Sequence, residues 1–256
     1  MAVTTEKEIS QFKSRLKELA RRSYEQNMFT FTPMLGLMEQ TVFGEMEEEL
    51  RYAGYTIFGG HDHAERVMIR FGKVEELGYE EDFPIVLIHM KPLLQKFSDE
   101  FSHRDFLGAL MNLGINRDLL GDILVGDRQG FLFCQASIAE FICTELTQVK
   151  HTHISCSIAL ELSEYEEKPP VEEEHLVASE RLDGLVAQIY HLSRSQSITL
   201  FRDKRVFVNG RLTESNSRSC KPGEVVNVRG FGKFIYDGIG YTTKKGKQRV
   251  KIRIYR

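Results

Sequence analysis

The stretch SEYEEKPPVEEEHLVA, residues 163–178, limits the fold more than any other. Six glutamates flank Pro169 and Pro170. Like charges repel, and each proline locks φ and removes a backbone donor, so an extended linker is expected over residues 166–178. The chain is thereby divided into a long front part and a C-terminal part that begins at Ser179. The formal net charge of -3 conceals a steep asymmetry across this division. Residues 179–256 carry 17 Lys and Arg against 6 acids, a balance of +11; residues 1–178 carry 17 against 31, a balance of -14. A basic end on an acidic body suits a polyanion-binding module, although surplus charge also serves solubility alone.

The front part reads as two blocks. Residues 6–27 predict an amphipathic helix with Ile9, Phe12, Leu16 and Leu19 on one stripe. A second helix is expected over 34–53, ending before Gly54, followed by two strand-like phrases around Gly59 and Gly60. This block closes near Gly78. The next opens with the apolar strand FPIVLIHM from Phe83. A helix follows from Ser102, which can cap it, to Gly114, which can end it. GDILVGDRQGFLFC predicts a hairpin turning at 126–130, then another helix, then the strand HTHISCSIAL. The expected fold class is α+β, in three small modules: residues 1–78, an RNA-binding domain over residues 79–165, and the basic module of residues 179–256 beyond the linker.

No apolar run approaches the roughly 18 residues that span a bilayer. MAVTTEKEIS lacks an apolar signal core, so a cytoplasmic protein is expected. Cys134, Cys143, Cys156 and Cys220 show no C-x-x-C pairing; three fall in apolar phrases as small core residues. A monomer is expected.

The basic module predicts two short helices. One runs from Arg181 to about Leu192 with Leu182, Leu185, Val186 and Ile189 buried. Ser193-Arg194-Ser195 starts the second, whose N-terminal amides suit a phosphate. Arg202, Lys204 and Arg205 stand at its far end. Val206-Phe207-Val208 is a strand, and Asn209-Gly210 a strong two-residue hairpin signal. In RVKIRIYR, Val250, Ile252 and Ile254 fall on one face, and Arg249, Lys251, Arg253 and Tyr255 on the other. Thr243–Lys247 (TKKGK) adds three lysines. With no amphipathic insertion helix here, structured RNA is the better polyanion than a membrane surface.

RLDGLVAQIYHLSRSQ, KRVFVNGR and KPGEVVNVRG resemble the S-four RNA-binding domain. Arg181-Leu182-Asp183, Ser193-Arg194-Ser195, Val208-Asn209-Gly210 and Pro222-Gly223-Glu224 arrive in the family's order. Two positions depart: Lys204 or Arg205 stands where most members have Gly, and Glu224 where they have Asp. The resemblance implies RNA contacts at Arg181, Ser193, Arg194, Arg202, Lys204, Arg205 and Asn209. Charge extends the expected surface to Arg211, Lys233, Lys244, Lys245 and Lys247. Upstream, FGGHDHAER and HRDFLGALMNLGINRDLLGDILV are similar to the YlmH family of bacterial S-four proteins. That likeness implies a ribosome-associated protein contacting rRNA and tRNA on stalled large subunits, in quality control of nascent chains. The family's genes lie among cell-division genes, and a protein-binding division scaffold is the alternative.

Other chemistries fit less well. The R-L-D phrase of pseudouridine synthases is followed by Thr-x-Gly, which is missing after Asp183. His103-Arg104-Asp105 has no kinase Gly-rich loop or D-F-G. His61-Asp62-His63 and His151-Thr152-His153 have no Cys or His group to complete a zinc set. No metal, cofactor, small-molecule substrate or catalysis is expected.

Overall fold

The computed structural model describes residues 5–162, 165, 170–243 and 246–255, with the backbone alone at residue 97. It is an α+β protein in two compact units, residues 1–166 and 167–256.

In the first unit, Thr5 caps α1 (Glu6–Gln26) through a capping box with Glu8, and Leu16, Leu19 and Ala20 form its buried stripe. Then come β1 (Thr30–Phe31), α2 (Leu37–Leu50), β2 (Tyr55–Phe58), β3 (Met68–Phe71) and the single turn α3 (Val74–Leu77). The first three strands form an antiparallel sheet in the order β1-β3-β2, packed on α1 and α2 through Phe43, Leu50, Ile69 and Phe71. The chain continues as β4 (Ile85–Pro92), α4 (His103–Asn112), β5 (Leu120–Gly126), β6 (Gln129–Gln135), α5 (Ala139–Glu145), β7 (Gln148–Val149) and β8 (Thr152–Ala159). These strands form a second antiparallel sheet, β5-β6-β4-β8-β7. Ser102 caps α4, as the sequence predicts, and Asp105 completes the capping box. Phe106, Leu110 and Ile142 bury the two helices against Ile88, Leu132 and Cys134.

The two front blocks, expected as separate modules, belong to one compact unit. Asp122 on β5 joins them. It is 8% exposed, and it accepts the Glu65 amide at 2.6 Å, the Arg66 amide at 3.0 Å and a contact from His61 Nε2 at 3.2 Å. Arg66 reaches the other way, donating to the carbonyls of Leu120, Met34 and Arg117 at 2.7–3.1 Å. His61 stacks on Phe133 with ring centroids 5.0 Å apart. Gly60 (φ +101°) leaves room for that ring, with which any Cβ would collide. The FGGHDHAER phrase is therefore a joint between two sheets.

The second unit contains β9 (Val171–Val177), α6 (Leu182–Ile189), α7 (Arg194–Arg202), β10 (Val206–Val208), β11 (Arg211–Leu212), β12 (Val225–Val228), β13 (Gly232–Thr242) and β14 (Gln248–Tyr255). Its antiparallel sheet runs β11-β10-β12-β13-β14-β9, with α6 and α7 buried on one face by Leu182, Leu185, Leu200, Phe201, Val226, Phe234 and Ile252.

Residues 171–177 are extended, but they are an edge strand of this sheet rather than a free linker. Glu172 lies opposite Arg253, and Glu174 opposite Lys251. Opposite charges facing each other across strands favour pairing, so the repulsion that suggested a linker is cancelled by the neighbouring strand. Residues 163, 164 and 166–169 of the glutamate-proline stretch lie outside the described residues.

Candidate nucleic-acid interface

The local sequence builds the cationic surface around α7. Ser193 Oγ accepts the Gln196 amide at 3.2 Å while the Gln196 side chain accepts the Ser193 amide at 2.8 Å, a complete capping box. Ser197, Leu200 and Phe201 face the core, and Ser197 Oγ donates to the Asp183 carbonyl at 2.8 Å. Arg194 and Arg202 are left facing water, their side chains 71% and 76% exposed. They stand about 12 Å apart along the helix axis, at 1.5 Å rise per residue.

Asp183, 1% exposed, organises the near end. Arg181 donates to it bidentately at 3.0 and 2.8 Å, and Arg194 approaches it at 3.6 Å. Arg181's hydrogen bonds hold the Asp183 carboxyl below its ordinary value, against the opposing effect of burial. Arg181 is thus engaged inside the unit, whereas Arg194 is only loosely paired. At the far end, Lys204, one of the two positions at which the S-four resemblance expects Gly, takes a left-handed backbone (φ +56°). Its ammonium meets Glu214 at 3.4 Å, with both side chains 66% exposed. Arg205 donates to the Arg229 carbonyl through Nε at 3.0 Å, so it secures the β12–β13 turn.

The remaining expected contacts divide. Asn209 (φ +48°) sits in the hairpin turn and accepts the Val225 amide on Oδ1 at 2.9 Å, and Ser193 is the α7 cap. Both side chains hold the fold. Arg211 lies in β11, opposite Val208. Lys233 sits over the Tyr255 ring at 3.8 Å. Lys247 closes the far end of the β13–β14 hairpin with Thr243, about 30 Å from Lys233 at 3.3 Å per strand residue. The expected residues therefore do not form one patch: Arg194, Arg202, Lys204 and Arg205 belong to α7 and its exit, and Lys247 stands apart. Lys244 and Lys245 lie outside the described residues.

The cationic row of β14 is present but accompanied. Arg249 pairs with Glu174 at 3.1 Å, and Arg253 donates to Asp237 through two bonds of 2.9 Å. Glu224, the second departure from the S-four pattern, is 8% exposed; it accepts the Lys221 amide at 2.9 Å and pairs with Arg218. Sequence reasoning missed Arg229, which is exposed and lies 4.4 Å over the Phe207 ring. Only pairing of β10 with β12 brings those two together.

Burial pushes the Cys134, Cys156 and Cys220 thiols up to about 12, far from the range of a reactive thiolate. Among the described residues, no cluster of three His, Cys, Asp or Glu could hold a metal ion. No described helix is long and apolar enough to cross a membrane.

A family profile described as "Putative RNA-binding domain in YlmH" matches residues 79–164. Across 239 residues the chain is 30% identical to the "Ribosome-associated protein quality control protein P2" of Bacillus subtilis (strain 168), covering 91% of this chain and 90% of that one. The chain belongs to the YlmH family. A solved structure described as "Cell division protein ylmH from Streptococcus pneumoniae" aligns with a TM-score of 0.47 and 16% identity, covering 59% of this chain and 91% of that one. Within this YlmH-family chain, charge is unevenly shared between the matched region and the C-terminal unit. Residues 79–164 hold six Lys and Arg against thirteen Asp and Glu.

Proposed function

We propose that this protein binds RNA on the ribosome, as a non-catalytic, cytoplasmic partner of the large subunit. It contacts rRNA and tRNA through phosphates, and it serves quality control of stalled nascent chains as a monomer. The observation that carries the reading is the exposed cationic edge of α7, Arg194, Arg202 and Lys204, in a C-terminal region with a balance of +11. Phosphate neutralisation by such groups supplies most of the sequence-independent affinity for RNA. The match of residues 79–164 to a family described as a putative RNA-binding domain supports RNA binding by this chain outside the C-terminal unit as well. The name of the B. subtilis relative, a ribosome-associated quality control protein, supports the ribosomal setting.

The test is co-sedimentation of the full chain with separated ribosomal subunits across a salt series, beside Arg194→Ala/Arg202→Ala. Salt-sensitive binding to the large subunit, weakened in the folded double variant, is expected. A well-folded protein that sediments with neither subunit would overturn the reading.

A further inference from the structure

We propose that the open face of the C-terminal sheet is a second RNA site that stacks unpaired bases, separate from the cationic edge of α7. The inference rests on the RNA-binding reading. Pairing places Phe207 opposite Asn227, Asn227 opposite Lys233, and Lys233 opposite Tyr255. Directly opposed residues of an antiparallel sheet point to the same side. Their neighbours Val206, Val208, Val226, Val228, Phe234 and Ile254 are all buried under α6 and α7. The row Phe207–Asn227–Lys233–Tyr255 therefore crosses four strands on the face turned away from the helices.

Its chemistry is that of a nucleotide platform. Arg229 lies over the Phe207 ring at 4.4 Å and Lys233 over the Tyr255 ring at 3.8 Å. Asn227 and Arg229 are exposed, and Tyr255 is 38% exposed. Guanidinium planes and aromatic rings both stack on bases, cations attract the linking phosphates, and an Asn amide offers a donor and an acceptor to a base edge. Within this row there is no acid. The acids begin one row on, where Arg253 faces Glu172 and is tied to Asp237. Charge thus confines a polyanion to the Phe207–Tyr255 end.

The dimensions select the occupant. Strands lie about 4.8 Å apart, so the two aromatic positions are about 14 Å apart. Stacked neighbours in a duplex rise only about 3.4 Å and keep their faces covered. An extended single strand can place two separated bases on the two positions and carry its phosphates past Lys233.

The full chain would be titrated, by fluorescence anisotropy, with a labelled unstructured oligoadenosine and with a blunt RNA hairpin of equal phosphate number. Tyr255→Ala should weaken oligoadenosine binding about thirtyfold, the mid-range of an alanine-measured stacking loss. Tyr255→Phe should keep the affinity, and hairpin binding should not change in either. Arg229→Glu, at an exposed position outside the core, should give the same selective loss, and it carries the test if Tyr255→Ala does not fold. Equal losses on both RNAs, or no loss on oligoadenosine, would overturn the platform and leave RNA binding by α7 intact. Wild-type protein that binds neither RNA would overturn both readings.

Discussion

Arg194 and Arg181 flank the same buried carboxylate, yet the structure assigns them different work. Arg194 is 71% exposed and 3.6 Å from Asp183, so its charge remains available to a phosphate. Arg181 spends two hydrogen bonds on Asp183. Arg194→Ala should leave the thermal midpoint nearly unchanged, because Asp183 keeps both hydrogen bonds from Arg181 and the loose 3.6 Å pairing of an exposed guanidinium contributes only about 0.5 kcal/mol. Its effect on RNA should be larger. One exposed ion contact, at about 1 kcal/mol, corresponds to about fivefold in affinity at low salt. Each phosphate contact contributes about 0.9 to the slope of log affinity against log salt. A rise from about 50 to about 200 mM then weakens wild-type binding by about 3.5-fold per contact. The wild-type advantage should shrink from about fivefold to about 1.5-fold over that range. Arg181→Ala should do the reverse, lowering the midpoint while leaving the salt slope within error. Anisotropy titrations of a structured RNA at four salt concentrations, beside thermal melts, measure both. An Arg194→Ala slope equal to wild type, or an Arg181→Ala slope lowered by a full contact in a stable protein, would refute this division of roles.

Asp122→Asn keeps the side chain's shape but converts one acceptor oxygen to a donor facing backbone N–H groups; at about 1.5–3 kcal/mol per charge-assisted bond, unfolding of residues 1–166 in urea should be about 3 kcal/mol easier. Because Asp183 titrates below its ordinary value of 3.8 in the folded unit, its contribution is fully present above that value and is lost as pH falls through the lower folded value. Asp183→Asn should accordingly be less stable than wild type at pH 7, with the gap closing in acid melts below about pH 4. Glu172→Gln/Glu174→Gln removes the charges opposite Arg253 and Lys251; exposed pairs contribute little to stability, so the melting midpoint should hold while non-specific RNA affinity at low salt rises. Unchanged affinity in that double variant would show that the β9 acids do not limit RNA binding.

Much of the chain was legible because its signals are local. A helix cap acts within a few residues of the helix start, so the starts at Ser102 and Ser193 could be located without knowing any distant partner. Asn209-Gly210 specified its hairpin, and strict alternation placed Val250, Ile252 and Ile254 in the core. The charge asymmetry is a property of composition and needs no fold. Three other features could not be seen this way. Asp122 binds residues 56 and 57 positions away, and its local context marks it only as one acid in a strand. Residues 171–177 carry a glutamate run that repels itself in isolation; only β14, some 80 positions later, supplies the opposite charges that make it a strand. The Phe207–Tyr255 row is assembled by three successive strand pairings across 48 residues. Short-range geometry therefore determined the elements and the sign of the surface. Long-range pairing alone decided which cations stay exposed, because a charge's availability depends on the neighbours that folding brings to it.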